Sequence, residues 1–515
     1  MSMTAQIELS ADVIDRLTHW FDDQGVVAPS LNYAIYDRSG ILFHHGLGDF
    51  QRDGRRPEVD TIYRICSMTK SFLIATVLIL RDRGLLSLED PVSATVPEFP
   101  DFVDDSGARV PITLRMLMTN SSGLPEDNGW ADFNLSITRE GLRETLAAGL
   151  NFSDFPDSGY QYANIGFAVL GLVVEAVSGM PFDKFATATL LEPLGLTRSR
   201  FDLGDYDDAG EGGGGIAYGF ESFDGGESWF RRPFTETGAM GAAGSLFSTL
   251  PDIARWSGWL SSAFDPANTD DAILSRASRR LMQRIFTPKH DLDRTLIPEI
   301  ENVGYGLALI VEHDERFGSF AQHSGGLPGF STHMRWHLSS GLGVALFGNT
   351  NSLDDIAIWS ARLLRIVLED RAVPAKTIPL WPATFSAAEE LETAIRGSGN
   401  VVDAERLFSG NLLSDVPEDV RFSRLQAAVA AVGGLEAAVP PLAERLAWSV
   451  SAAQVAWTIP GRSGYLECAI EMTETQPSLI QRLDITARQQ DWKPLPLISR
   501  HSRPLAPPAV DASAT

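Results

Sequence analysis

The sequence predicts an α+β protein: an antiparallel sheet with helices packed on it and a helical insertion between its halves, followed by a smaller α+β domain. Three observations carry this expectation. Apolar residues alternate with period two near the amino terminus and again from Tyr305, so strands far apart in the chain must share one sheet. The stretch between them has helical spacing. A proline-rich segment, RAVPAKTIPLWPATF, then separates a second set of helices and strands, and at 515 residues the chain is too long for one core in any case.

In chain order, Ser10 is placed to cap a helix in which Val13, Ile14, Leu17, Trp20 and Phe21 recur at helical spacing. SLNYAIYD, a turn at Arg38-Ser39-Gly40 and ILFHHGLG predict a hairpin, with TIYRI as a third short strand. Residues from about 70 to 290 are expected to be mostly helical, as in NIGFAVLGLVVEAVSG and LPDIARWSGWL. From Tyr305, YGLALIVEH, GSFAQHSGG, FSTHMRWHL and GLGVALFGN predict four strands, and a helix from Leu353 to about Asp370 lies back on the sheet near the first helix. The expected division is a first domain over 1–372, a linker over 373–385, a small α+β domain over 386–490 and a disordered tail over 503–515. Ser386 with Glu389 suggests a capping box, and GYLECAIEM alternates as one face of an antiparallel sheet should. The order of elements in this second domain is loosely that of small cone-shaped domains of the nuclear-transport-factor type; such a domain is expected to cover a cleft or to mediate dimerisation.

Composition excludes several classes of function. With 42 basic against 67 acidic residues the net charge is −25, which argues against nucleic acid or an anionic membrane as partner. The longest apolar runs are about half of the roughly 20 residues a spanning helix needs. The amino terminus has neither a basic nor an apolar signal region, so the cytoplasm is the expected location. Cys66 and Cys468 are too far apart in sequence to suggest a disulfide framework, and the nine histidines form no metal-binding pair; neither metal nor organic cofactor is expected. DYDDAGEGGGG (205–215) lacks the spacing of a calcium loop and reads as a mobile loop.

Three short motifs carry chemistry. In RICSMTKS, Lys70 stands one helical turn after Ser67, where an amine takes the proton of a hydroxyl nucleophile, and N–H groups at a helix start steady negative charge. In SGYQYANIGF, Tyr162 is a candidate base that becomes more acidic beside a cation, and Asn164 a candidate ligand for a substrate amide. In HSGG, Gly325 and Gly326 end a strand where a ligand can approach the backbone, with the Gly326 N–H as second oxyanion donor; His323 and Ser324 stand beside them. Each motif alone recurs by chance. Their order along the chain, and their placement on helix, insertion and late strand, do not.

With the surrounding IYRICSMTKSF, RGLLSLEDPV, ITLRMLMTNSSGLP, LEPLGLTRS and HSGGLPGFSTHMRWHL, the sequence over about 10–370 resembles the serine β-lactamase and penicillin-binding-protein superfamily, in particular its class C-like branch with D-aminopeptidases, D-amino-acid amidases and esterases. The resemblance implies a β-lactamase-like fold, an acyl-enzyme on Ser67, proton transfer by Lys70 and Tyr162, and substrate contacts from Asn164, His323, Ser324, Gly325 and Gly326. His323 stands where β-lactamases place a lysine that helps bind the substrate carboxylate, which weakens the case for β-lactams or cell-wall peptides. The expected activity is hydrolysis of small amides or short, unusual peptides. Alternatives are an esterase or acyltransferase with the same site, a β-lactamase or penicillin-binding activity, and a slowly acylated sensor. The expected partner is a small-molecule or short-peptide substrate, with a homodimer possible.

Overall fold

Ser10 opens helix α1 (Ala11–Thr18), its hydroxyl accepting the Val13 N–H at 3.3 Å and donating to Asp370 at 2.5 Å. Ser10→Ala removes the cap and the tie to Asp370, and is expected to lower stability by about 1 kcal/mol, read as the shift of a urea midpoint at constant slope. An unchanged midpoint would show that the cap contributes nothing here. In the computed structural model, residues 9–206, 215–289, 297–490 and 502–507 are described. Two compact units divide the chain, Met1–Val373 and Pro374–Thr515.

The first unit is built on an eight-stranded antiparallel sheet. Its strands are β1 (Ser30–Asp37), β2 (Gly40–Gly48), β3 (Thr287–Pro288), β4 (Ile300–Tyr305), β5 (Ile310–Asp314), β6 (Gly318–Leu327), β7 (Phe330–His337) and β8 (Gly343–Gly348), in the spatial order 2-1-8-7-6-5-4-3. The two ends of the unit meet where β1 pairs with β8, from Leu31↔Gly348 to Tyr36↔Gly343. Here β1 is buried on both faces. Tyr33 and Ile35 pack with Leu17, Val344 and Leu363 of α1, β8 and helix α6 (Ile356–Asp370), while Ala34 and Tyr36 join the larger core on the other side. Helices therefore cover both faces, an α/β sandwich with antiparallel strands.

The larger core holds the insertion. Helix α2 (Thr69–Asp82) is buried from Thr69 through Leu80, too apolar all round to be a surface helix. Phe72 stacks on Trp256 of helix α5 (Leu250–Ser261) with ring centroids 4.1 Å apart. Helices α3 (Asn128–Phe133) and α4 (Asn164–Ser178) complete the part of the insertion that borders the cleft described below.

Several expectations need correction. TIYRI does not join the main sheet: Tyr63–Arg64 pairs with Phe247–Ser248, because Ile65 must hand the chain directly to the turn before α2. The late strands begin at Ile300 rather than Tyr305, and α6 begins at Ile356 rather than Leu353. In the second unit the helix starts at Pro382, where the fixed φ of proline suits a first helical position, so Ser386 lies inside it and caps nothing. Part of the expected linker, Thr377–Pro379, pairs in parallel with Arg503–Leu505, a segment expected to be disordered. Residues 508–515, and 207–214 of the acidic glycine-rich stretch, lie outside the described residues. The second unit has a four-stranded antiparallel meander, Leu446–Trp448, Gln454–Gly461, Gly464–Met472 and Ile480–Arg488, packed against helices Pro382–Gly397 and Glu418–Ala431. GYLECAIEM alternates with Leu466, Cys468, Ile470 and Met472 buried.

Candidate active site

The site starts from a sharp turn. Cys66 has φ +53°, a left-handed conformation that non-glycine residues avoid, and it is fully buried. Neighbours hold it there: Thr69 Oγ1 donates to the Cys66 carbonyl at 2.5 Å, Thr332 Oγ1 to the Ile65 carbonyl at 2.9 Å, and the Ile65 N–H donates to Leu246 O at 2.9 Å. The turn continues as one 3₁₀ stretch, Cys66–Met68, and α2 begins only at Thr69. Side chains three apart nearly eclipse in such a turn. Lys70 Nζ accordingly lies 2.9 Å from Ser67 Oγ, and it also donates to Ala243 O at 2.9 Å.

Lys70 is wholly buried, with its Nζ 4.9 Å above the Tyr162 ring and 5.4 Å from that of Phe167. Burial pulls its pKa down to about 7, against the opposing fields of Asp127, Asp132 and Cys66. The neutral amine is therefore accessible near neutral pH, where an ordinary lysine is fully charged. Burial pushes the Tyr162 phenol well above its ordinary value, a rise that the neighbouring Ser67 hydroxyl offsets only in part. Desolvation, with the fields of Asp127, Asp132 and Glu126 added to it, raises the Tyr162 pKa, the opposite of the acidified phenol expected beside a cation.

β6 carries HSGG past the turn that holds Ser67. His323 is buried; its Nδ1–H donates to Ser324 O at 2.5 Å and its Nε2 lies 3.3 Å from the Tyr305 hydroxyl. Burial, then the positive charge of Lys70, lower its pKa to about 3, so it is a neutral ring across the whole physiological range. Ser324 Oγ pairs with His333 Nδ1 at 2.8 Å. The two glycines differ in purpose. A Cβ on Gly325 would overlap Ile65 O and lie 3.0 Å from Cys66 Cβ, so this glycine lets the strand pack against the turn that holds Ser67; a Cβ on Gly326 would meet nothing within 4 Å. Only Gly326 borders open space, in a cleft of about 400 Å³ that also contains Ser67, Tyr162, His323 and Ser324.

The family model named Beta-lactamase matches residues 18–366. The chain belongs to the beta-lactamase family. Its members are serine hydrolases. Penicillin-binding protein 4* of Bacillus subtilis is 26% identical over 308 residues, which is 57% of this chain and 62% of that protein. Esterase EstB of Burkholderia gladioli is 35% identical over 179 residues, 32% of this chain and 45% of that one, so this chain spans less than two thirds of either relative's length. The octameric penicillin-binding protein homologue from Pyrococcus abyssi superposes with a TM-score of 0.54 at 19% identity, over 92% of this chain and 99% of the other, a likeness of fold.

Asn164 is not among the residues that line this cleft. Its Nδ2 donates to Asp127 Oδ1 and to Asn128 Oδ1, each at 2.9 Å, while Asp127 also accepts the N–H groups of Asn164 at 2.7 Å and Ile165 at 2.9 Å. Asn164 therefore pins the start of α3 to the start of α4, and the substrate-amide role expected of it does not fit. Residues that sequence reasoning missed, Asn128, Asp132 and Asn351, line the cleft instead. No motif marks them. The one available signal was the acidic and amide run EDNGWADF, which is unremarkable until Asn164 folds it over Ser67. Among the described residues, no single helix is long and apolar enough to cross a membrane.

Proposed function

We propose that the protein is a serine hydrolase that forms an acyl-enzyme on Ser67 and cleaves small amides or short peptides. The observation that carries this reading is the buried Lys70 amine, 2.9 Å from Ser67 Oγ and held near pH 7. In its neutral form the amine takes the Ser67 proton as Oγ attacks the carbonyl. The oxyanion is then held by the N–H groups of Ser67 and Gly326. Tyr162, protonated and in the same cleft as Ser67, gives its proton to the leaving nitrogen and regains one from Lys70; water finally releases the acyl group. A held phenol proton matters most for amides, since an amide ion is a far poorer leaving group than an alkoxide. The neutral His323 offers no charge to a substrate carboxylate, which disfavours β-lactams.

Esterase or acyltransferase action is the second reading, supported by the 35% identity to an esterase over 179 residues. Oligomerisation, as in the octameric homologue, belongs with these proposals.

The test is intact-mass and turnover analysis with matched p-nitrophenyl esters, aminoacyl amides, short peptides and a cephalosporin, on wild type and Ser67→Ala. Turnover of amides, with neither turnover nor mass gain in the variant, supports the reading; preference for esters shifts it to the second; a fully active Ser67→Ala removes it. The pH profile supplies a further prediction. Because the base must be neutral, kcat/KM should rise with pH through about 7 and fall below it. A rate independent of pH between 5 and 9 would exclude Lys70 as base.

A further inference from the structure

We infer that the cleft selects substrates carrying a protonated amine close to the scissile carbonyl, with Asp132 as the carboxylate that receives it. The inference rests on the proposed hydrolase reading and adds its substrate class. Asp132 lines the same cleft as Ser67, and among the described residues its carboxylate makes no hydrogen bond or ion pair. Neighbouring carboxylates are already committed: both oxygens of Asp127 receive the amides at the start of α4, and Glu126 Oε1 accepts from Asn128 Nδ2 at 2.6 Å. Asp132 alone of the three faces the space a substrate fills.

Among the described residues that line this space none is a lysine or arginine: Lys70 lies beneath it with its amine bound to Ser67 Oγ and Ala243 O, His323 is neutral, and Lys289, whose charge reaches His323, sits over the Tyr160 ring outside the lining. A substrate carboxylate would therefore meet Asp132 without a compensating cation, whereas an ammonium would find a partner at partial desolvation, where charged hydrogen bonds are strong. The charged groups acting on Asp132 are Lys70 and Asp127; burial, opposed by Lys70 and aided by Asp127, raises its pKa to about 6, so it is mostly ionised at neutral pH. Asn164 supports the arrangement by pinning α3, which carries Asp132, to α4.

The experiment compares kcat/KM for alanine p-nitroanilide, its N-acetyl form and its N-succinyl form, in wild type, Asp132→Asn and Asp132→Glu. In parallel, phosphonylation of Ser67 by a fluorophosphonate is challenged with propylammonium, propanol and propionate. Wild type should prefer the free amine over the acetylated substrate by about tenfold to a hundredfold, mainly through KM, and the succinylated one should be poorest. Asp132→Asn should bring the amine-to-acetyl ratio close to one, and Asp132→Glu should retain most of it. Propylammonium, and not propionate, should protect Ser67. An amine-to-acetyl ratio equal in wild type and Asp132→Asn, or stronger protection by propionate, overturns the inference and leaves the hydrolase reading standing. If Ser67 is not phosphonylated at all, both fall.

Discussion

Lys70→Met is expected to lower kcat/KM by about 10³-fold and yet to raise stability by about 1–3 kcal/mol. The first effect follows from loss of the proposed base at 2.9 Å from the nucleophile. The second follows from linkage. A lysine whose pKa falls from 10.5 to about 7 on folding opposes folding wherever the unfolded chain would be protonated, a gross penalty of roughly 5 kcal/mol at about 1.4 kcal/mol per pH unit. Methionine fills a similar volume without charge, while loss of the bonds to Ser67 and Ala243 gives back about 1 kcal/mol each. The sign can be checked independently. Between about pH 7 and 10.5 the native protein binds fewer protons at this site than the unfolded chain, so wild-type stability rises with pH across that window; below it the penalty is constant and complete. The advantage of Lys70→Met should therefore shrink between urea titrations at pH 7 and pH 9.5. A variant less stable by the same amount at both pH values would mean that Lys70 is not held in a lowered state.

Gly325→Ala is expected to reduce both stability and activity, by about 2–4 kcal/mol and at least 100-fold. The added methyl group has no free direction, because Ile65 O at 2.2 Å, Thr332 Oγ1 at 2.4 Å and Cys66 Cβ at 3.0 Å surround it. Two of these belong to the turn that carries Ser67, and Thr332 is the donor that fixes the Ile65 carbonyl. Relief of the clash must push β6 away from the turn, separating Gly326 N–H from Ser67. Gly326→Ala is the control: its Cβ meets nothing, so it should fold like wild type and act only through the volume of the cleft. Equal stability for both variants would contradict the packing argument.

Chemistry near in sequence was the readable part of the site. Ser67 and Lys70 lie on one short turn, and local geometry brings their side chains together whatever surrounds them. HSGG stands at the end of a long, strongly patterned strand, so its place on the sheet was equally accessible. Asn164 misled because a motif states which residues are near one another and not which way a side chain turns: its amide is drawn to Asp127 and Asn128, about 36 residues earlier. The acidity of Tyr162 misled for a related reason, since a neighbouring cation was legible and the depth of burial was not.

Backbone periodicity and short-range spacing were sufficient for the antiparallel sheet, the capped first helix, the apolar α2 and the Ser67–Lys70 pair, because each depends on interactions within a few residues or on a repeated pattern. Registers between distant strands, the pairing of Thr377–Pro379 with Arg503–Leu505, the depth of burial at Tyr162 and the presence of Asp132 in the lining of the Ser67 cleft were decided by folding alone. Those features are sums over many weak contacts from remote parts of the chain. Burial and electrostatic field exist only after the chain has closed on itself, and no local pattern of residues encodes them.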